Sequence, residues 1–327
     1  MDREEQVAAD VSNEVPTREE LVRARARVEG IVRRTPIETC RTLDERSGAS
    51  LFFKCEHLQR GGAFKLRGAT NAVASLTDDE AARGVATHSS GNHAAALAIA
   101  AGRRGIAATI VMPVDAPAIK RAAVEGYGAR IVSCGPTLAE REATLAQVVA
   151  ETGATVVHPY DDARVIAGQA TAACELIEDV PDLDVIVAPI GGGGLLSGTA
   201  LAARHFAPNV RVVGAEPAWA DDAAESLRLG VRQPQRPPRT IADGLRTAIG
   251  VLPFAILRAH EVAIEVVDED TIVEAMRTTW ERAKLPIEAS AAVAVAVALR
   301  GGFAGKRVGV VLSGGNVDLA RLPWQHA

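Results

Sequence analysis

Val185-Ile186-Val187-Ala188-Pro189-Ile190-Gly191-Gly192-Gly193-Gly194-Leu195-Leu196-Ser197-Gly198 runs from an apolar, β-branched stretch through four consecutive glycines into a helical segment. A strand that feeds a helix through a turn is the building unit of α/β folds. Glycine lets the backbone approach an anion closely, and the free N–H groups of a helix start, backed by the helix dipole, cradle a phosphate without any lysine. A tight strand-to-helix turn is the other account of the same residues. The stretch is no P-loop, since Gly-Lys-Ser/Thr is missing, and it lacks the G-x-G-x-x-G spacing of a dinucleotide site.

The same alternation extends in both directions. Apolar runs at 51–55, 85–88, 108–112, 130–133, 155–158, 185–188, 210–214, 264–267 and 308–312 read as strands, with Ala-rich helical segments between them. Thr17-Arg18-Glu19-Glu20 is a capping box for a helix expected to reach about Arg34, and residues 1–16 before it read as a loose tail. Ile272, Met276, Trp280 and Ala283 recur at helical spacing after the cap Asp268, as do Leu138, Leu145 and Val149 after Pro136. Residues 232–239 are a Pro-rich surface connection. The pattern gives α/β layers with mostly parallel sheets, in which ligands bind at the carboxyl ends of strands.

Composition removes several function classes. The 327 residues, enough for about two domains, carry 36 Lys+Arg against 41 Asp+Glu, a net charge of −5. Neither sign gathers into a patch, so no nucleic-acid partner is expected. The most apolar stretch, 289–299, is too short to span a bilayer, and the polar start Met1-Asp2-Arg3-Glu4-Glu5 has no secretory character, so no membrane partner and a cytoplasmic location are expected. Cys40, Cys55, Cys134 and Cys174 fit no zinc or redox spacing. Only five cations are lysines, which gives weight to a lysine in a special setting.

Lys65 has such a setting, in Gly61-Gly62-Ala63-Phe64-Lys65-Leu66-Arg67-Gly68. Two further turns follow strands: His88-Ser89-Ser90-Gly91-Asn92-His93, whose hydroxyls, amide and N–H groups suit a carboxylate, and Leu312-Ser313-Gly314-Gly315-Asn316. Each is also readable as an ordinary cap or turn. Taken together, a phosphate cradle, an anion-binding turn and a glycine-flanked lysine point to a phosphorylated aldehyde cofactor held as a Schiff base.

Five motifs carry a specific resemblance: Lys54-Cys55-Glu56-x-x-Gln59-x-x-Gly62-Ala63-Phe64-Lys65-x-Arg67-Gly68-Ala69, Ser89-Ser90-Gly91-Asn92-His93, Gly191 to Gly194, Thr240-Ile241-Ala242-Asp243-Gly244 and Ser313-Gly314-Gly315-Asn316. Their order resembles that of the tryptophan-synthase-β-like (fold type II) pyridoxal-phosphate family, in its serine/threonine dehydratase and serine racemase branch. The resemblance implies two open, twisted, mostly parallel sheets flanked by helices. A small substrate-closing domain (81–154) would be inserted in a large cofactor-binding domain (1–80 and 155–327), with pyridoxal 5'-phosphate in the cleft and a homodimer as the assembly.

By the same resemblance Lys65 bonds the cofactor, Phe64 packs near its ring, Gly191, Gly192, Gly193 and Gly194 hold the phosphate, Asn92 meets the 3-oxygen and Ser313 the pyridine nitrogen. Ser89, Ser90, Gly91, Asn92 and His93 hold the substrate. Glu216, the Ala220 carbonyl and Asp222 match residues that bind Mg²⁺ or Ca²⁺ in related racemases, and their hard oxygens suit either ion. Ala95 stands where the racemases use Gln to help hold an activating nucleotide, so no nucleotide stimulation is expected.

The expected reaction is β-elimination from L-threonine or L-serine, giving a 2-oxo acid and ammonia. Serine racemisation, with Ser90 opposite Lys65, and action on threo-3-hydroxyaspartate, with Arg141 or another arginine at a second carboxylate, are the alternatives. A non-catalytic ligand-binding relative would not need Lys65 and all the cofactor motifs. Lys65→Ala should therefore lose both the visible Schiff-base absorbance and turnover; a borohydride-reducible band in the variant would refute the assignment.

Overall fold

The computed structural model describes residues 14–116 and 118–325, so most of the expected tail, 1–13, lies outside the described residues. Among them are thirteen α-helices and ten strands, and the strands form two sheets. The six-stranded sheet has the order β1-β2-β10-β7-β8-β9, where β1 is Ile37–Glu38, β2 Ser50–Lys54, β7 Val185–Pro189, β8 Arg211–Pro217, β9 Ala263–Val267 and β10 Arg307–Val311. The four-stranded sheet has the order β5-β4-β3-β6, from β3 Val85–His88, β4 Ala108–Pro113, β5 Arg130–Cys134 and β6 Thr155–Val156. All pairings are parallel except β1 with β2.

Every residue of β4 and β7 is buried, which is the signature of parallel strands covered on both faces. The helix Ala289–Leu299 is apolar all round and almost wholly buried against the six-stranded sheet, so it serves as core. The helices Ala163–Asp179 and Gly194–Phe206 pack closely because Gly198 leaves no side chain between them: a Cβ there would stand 2.7 Å from Ile166 O.

Several boundaries differ from the sequence reading. The capping box at Thr17 and Glu20 is present, but its helix ends at Val28 and Gly30 follows at φ +72°. The sixth strand stops at Val156, because His158 Nδ1 accepts the Asp161 N–H at 2.8 Å and folds the chain into a turn. The helix after Asp268 runs from Glu269 to Thr278, and Trp280 and Ala283 fall in a π-helical turn ended by Lys284 at φ +61°. The two-residue edge strand β1 is too short to show a periodicity.

Beneath the start of the helix Lys65–Ala74 lies a buried group of four charges. Arg67 donates from Nε to Glu56 Oε2 at 2.7 Å and from Nη1 to Glu175 Oε1 at 2.7 Å, and Lys54 Nζ meets Glu175 Oε2 at 2.6 Å. Two cations balance two anions, and β2, the turn after it, the Lys65 helix and the helix Ala163–Asp179 are joined. Removing one partner of a buried ion pair strands the other charge. Arg67→Met should cost about 3–5 kcal/mol of unfolding free energy in denaturant titrations, whereas breaking the exposed pair Arg277–Glu281 should cost about 0–1 kcal/mol; equal losses would contradict this account.

Candidate active site

Four of the five motifs follow strands: β3 leads into Ser89–His93, β7 into the glycine loop, β10 into Ser313–Asn316, and the loop after β2 leads to Lys65, whereas Thr240–Gly244 follows the helix Asp222–Leu229 and its Gly244 N–H donates to Ser290 Oγ at 3.0 Å. Backbone bonds join two of them directly. Phe64 N–H donates to Ser313 O at 3.0 Å, Gly315 N–H donates to Gly62 O at 2.9 Å, and Ala63 and Gly314 form an isolated antiparallel bridge. Gly62 is required at this meeting: its φ is +75°, and a Cβ would lie 2.3 Å from Asn316 Oδ1.

Lys65 is the first residue of its helix and half-buried. Its Nζ donates to Pro159 O at 2.8 Å and stands 5.1 Å from the Phe64 ring centroid. Desolvation pushes its amine down to about 8, which leaves an appreciable neutral fraction for bonding an aldehyde or taking a proton.

Gly191, Gly192, Gly193 and Gly194 are buried, and within the described residues their N–H groups donate to no protein acceptor. That leaves a row of donors at the start of the helix Gly194–Phe206, which fits a phosphate. Each glycine also has a steric reason. A Cβ at Gly191 would meet Leu245 Cα at 2.9 Å, one at Gly192 the Tyr160 ring at 2.3 Å, one at Gly193 Pro253 Cβ at 2.6 Å and one at Gly194 Tyr160 Cα at 3.0 Å. Cradle and tight turn thus hold together here, and a side chain at Gly193, whose φ is +93°, would disturb the fold as well as a ligand.

Ser89 and Ser90 are half-buried, and Gly91 N–H donates to Ser89 Oγ at 3.3 Å. His93 is buried with Nε2 on Val157 O at 3.0 Å and Nδ1 unpartnered; burial pushes its pKa down to about 3, and the charge of Lys65 adds to this. Burial also lowers His158, to about 4. Neutral imidazoles therefore surround the amine.

Two groups escaped the sequence reading. The first is His158-Pro159-Tyr160-Asp161: Pro159 holds Lys65, Tyr160 packs on the glycine loop, and Asp161 caps the helix Val251–Ala259 by accepting the N–H groups of Val251 and Leu252 at 2.9 Å each. Asp161 following a strand was the available signal. The second is Glu288, whose Oε1 accepts Asn92 Nδ2 and whose Oε2 accepts the Asn316 N–H, each at 3.0 Å. It looks in sequence like any acid before a helix.

Glu216 lies buried near the end of β8, accepting Ala223 N–H at 3.0 Å and Ala224 N–H at 2.8 Å; Asp222 Oδ2 accepts Ile249 N–H at 2.9 Å. Burial raises both carboxyls above the usual range, and Asp222 repels Glu216 further. Among the described residues neither forms a salt bridge, and no cluster of three or more His, Cys, Asp or Glu side chains is arranged to hold a metal. The predicted set has two such side chains and a carbonyl, and hard oxygen donors of this kind fit Mg²⁺ or Ca²⁺.

A family model described as "Pyridoxal-phosphate dependent enzyme" matches residues 28–314. The β-hydroxyaspartate dehydratase of Paracoccus denitrificans (strain Pd 1222) is 50% identical over 312 residues, 95% of this chain and 99% of that enzyme. The structure of maize serine racemase superposes with a TM-score of 0.90 at 43% identity, covering 92% of this chain and 94% of the other. A threonine deaminase from T.th. gives 0.89 at 40% identity, covering 94% of this chain and 100% of the other. No helix among the described residues is long and apolar enough to cross a membrane.

Burial pushes the Glu288 carboxyl up to about 8, with Asp243 adding to it against Asn316, Asn92 and Lys120. Between about 4.5, the ordinary value, and about 8 the folded chain keeps a proton that the unfolded chain has lost. The stability this proton contributes is complete at the acid end of that window and gone at its upper end. Cofactor-free wild type should therefore lose thermal stability relative to Glu288→Gln as pH rises through the window, and then level off; a difference independent of pH would contradict the burial argument.

Proposed function

The chain belongs to the pyridoxal-phosphate-dependent enzyme family, and from that premise we propose that it is an ammonia-lyase for hydroxy-amino acids that takes 3-hydroxyaspartate ahead of L-threonine and L-serine. The observation that carries the choice of substrate is Arg141. Its Nε and Nη2 donate to Pro136 O at 3.2 and 2.8 Å. The guanidinium charge also reaches His88, the residue just before the Ser89–His93 turn, where burial is the main cause of a lowered pKa and Arg141 lowers it further against Glu142. Glu142 acts on His88 more strongly than Arg141 does, so Arg141, held on Pro136 O, is proposed to turn to a second carboxylate when a substrate brings one to this turn. The 50% identity to a β-hydroxyaspartate dehydratase supports 3-hydroxyaspartate as a substrate.

Bound pyridoxal phosphate supplies an electron sink for negative charge at the substrate's Cα. Gly191 to Gly194 would hold its phosphate, Phe64 would lie near its ring, and the neutral hydroxyl of Ser313 would face the pyridine nitrogen. Ser89, Gly91, Asn92 and His93 would line the substrate's α-carboxylate. The Lys65 amine, partly neutral through desolvation, would take the Cα proton. With the β-hydroxyl gone, the released enamine hydrolyses to a 2-oxo acid and ammonia. Residues 81–154 would close over the substrate, and Glu216, the Ala220 carbonyl and Asp222 would take Mg²⁺ or Ca²⁺.

A racemase is the second reading, favoured by half-buried Ser90 in the turn and by 43% identity to maize serine racemase. It requires Ser90 to serve the substrate face opposite Lys65. A panel of L-threo-3-hydroxyaspartate, L-serine, L-threonine and D-serine, assayed for 2-oxo acid and for enantiomer, decides between the readings. Arg141→Ala should lower kcat/KM for 3-hydroxyaspartate by about tenfold or more relative to that for L-serine; equal losses on both would refute the role of Arg141, and racemisation without 2-oxo acid would refute the lyase.

A further inference from the structure

Glu288 stands where two turns from different sheets meet. It is the residue before the helix Ala289–Leu299, yet its side chain makes no capping bond to that helix. The carboxyl turns the other way, and a Cβ at Gly314 would lie 2.6 Å from Oε1, so the glycine makes room for it. Glu288 N–H donates to Gly314 O at 3.0 Å, which ties the carboxyl to the turn that carries Ser313. From the four-stranded sheet comes Asn92, whose Nδ2 donates to Glu288 Oε1 at 3.0 Å while its Oδ1 accepts Asn316 Nδ2 at 3.0 Å. Both ends of the Asn92 amide are thereby fixed. A primary amide carries two N–H groups and so keeps one for a ligand.

We infer that Glu288 is a positioning residue that sets the plane of the Asn92 amide and so aims its remaining N–H at the 3-oxygen of the cofactor. The inference rests on pyridoxal phosphate being bound at Lys65. Two charged groups face the carboxyl from other elements. Asp243 precedes Gly244, whose Cβ position lies 4.0 Å from Oε1, and Lys120, on the helix Ala118–Gly126, pairs with Asp243 at 2.9 Å. Both oxygens of Glu288 accept whether or not it carries a proton, so the aim of Asn92 survives titration. Glutamine in its place keeps the shape and reverses one contact. The Asn316 main-chain N–H claims the single amide oxygen, and the new NH₂ then faces Asn92 Nδ2 donor to donor, which breaks the contact that holds the plane of the Asn92 amide.

The experiment is a double-mutant cycle on the holoenzyme, read as the pH midpoint of the bound cofactor's visible absorbance. A hydrogen bond to the 3-oxygen changes that midpoint, whereas a merely structural residue leaves it alone. Asn92→Ala should move it by about one pH unit, a tenfold change in the proton equilibrium. Glu288→Gln should move it in the same direction, and the double variant no further than Asn92→Ala alone. Additive shifts, or a Glu288→Gln midpoint equal to wild type, overturn the inference and leave the functional reading standing. A wild-type protein without any Schiff-base band overturns both.

Discussion

The buried contact of Arg67 with Glu56 and Glu175 is the constraint on which the site's placement depends. Arg67 lies two residues beyond Lys65 on the same helix, and a guanidinium near a helix start opposes the helix dipole. Only the two carboxylates make that position tolerable, and they come from the turn after β2 and from the helix Ala163–Asp179. Glu175 also takes Lys54 at the end of β2, so strand end and helix start are fixed to a common pair of anions. Burial of four charges is expensive in isolation; here every charge has an opposite neighbour within hydrogen-bond distance. The direction of the first turn of the Lys65 helix, and with it the direction of Lys65, follows from that arrangement.

A second constraint is steric. The loop 158–161 lies against the glycine loop on one side and Lys65 on the other, and Asp161 binds it to the helix Val251–Ala259, whose Pro253 packs on Gly193. The glycines therefore answer to their neighbours as much as to an anion. Their N–H groups nonetheless meet no protein acceptor among the described residues. The segment 249–250 extends the linkage: Ile249 N–H is held by Asp222, and Gly250 N–H donates to Gly192 O at 3.1 Å, so the acidic pair and the glycine loop are one hydrogen-bonded step apart.

Much of this was legible in the sequence. All nine apolar runs read as strands contain strands, the one at 155–158 only over Thr155–Val156, and those buried on both faces, β4 and β7, are written as continuous apolar runs. The Thr17 and Asp268 caps are local signals, and both are present. The order of the glycine-rich turns identified the family, and the turns at Lys65 and Ser313 lie side by side. What stayed hidden depends on partners far away in the chain. Glu288 contacts Asn92, 196 residues earlier, and Glu175 contacts Arg67, 108 residues earlier. Nothing near either acid in sequence marks it as buried. Tyr160 likewise carries no local signal, since its partner Gly192 lies 32 residues further along the chain.

The position of β10 has a consequence for biosynthesis. This strand, close to the carboxyl end of the chain, lies between β2 and β7 in the middle of the six-stranded sheet. Until it leaves the ribosome, β2 and β7 have no common neighbour, and each shows an open edge of the kind that invites pairing with other chains. Ser313 follows it directly, so the strand made after the other nine both closes the sheet and completes the ligand cleft. A chain released early would retain the lysine and the glycine loop but lack Ser313 and the strand that joins β2 to β7. Contacts of such long sequence separation make slow folding the expectation.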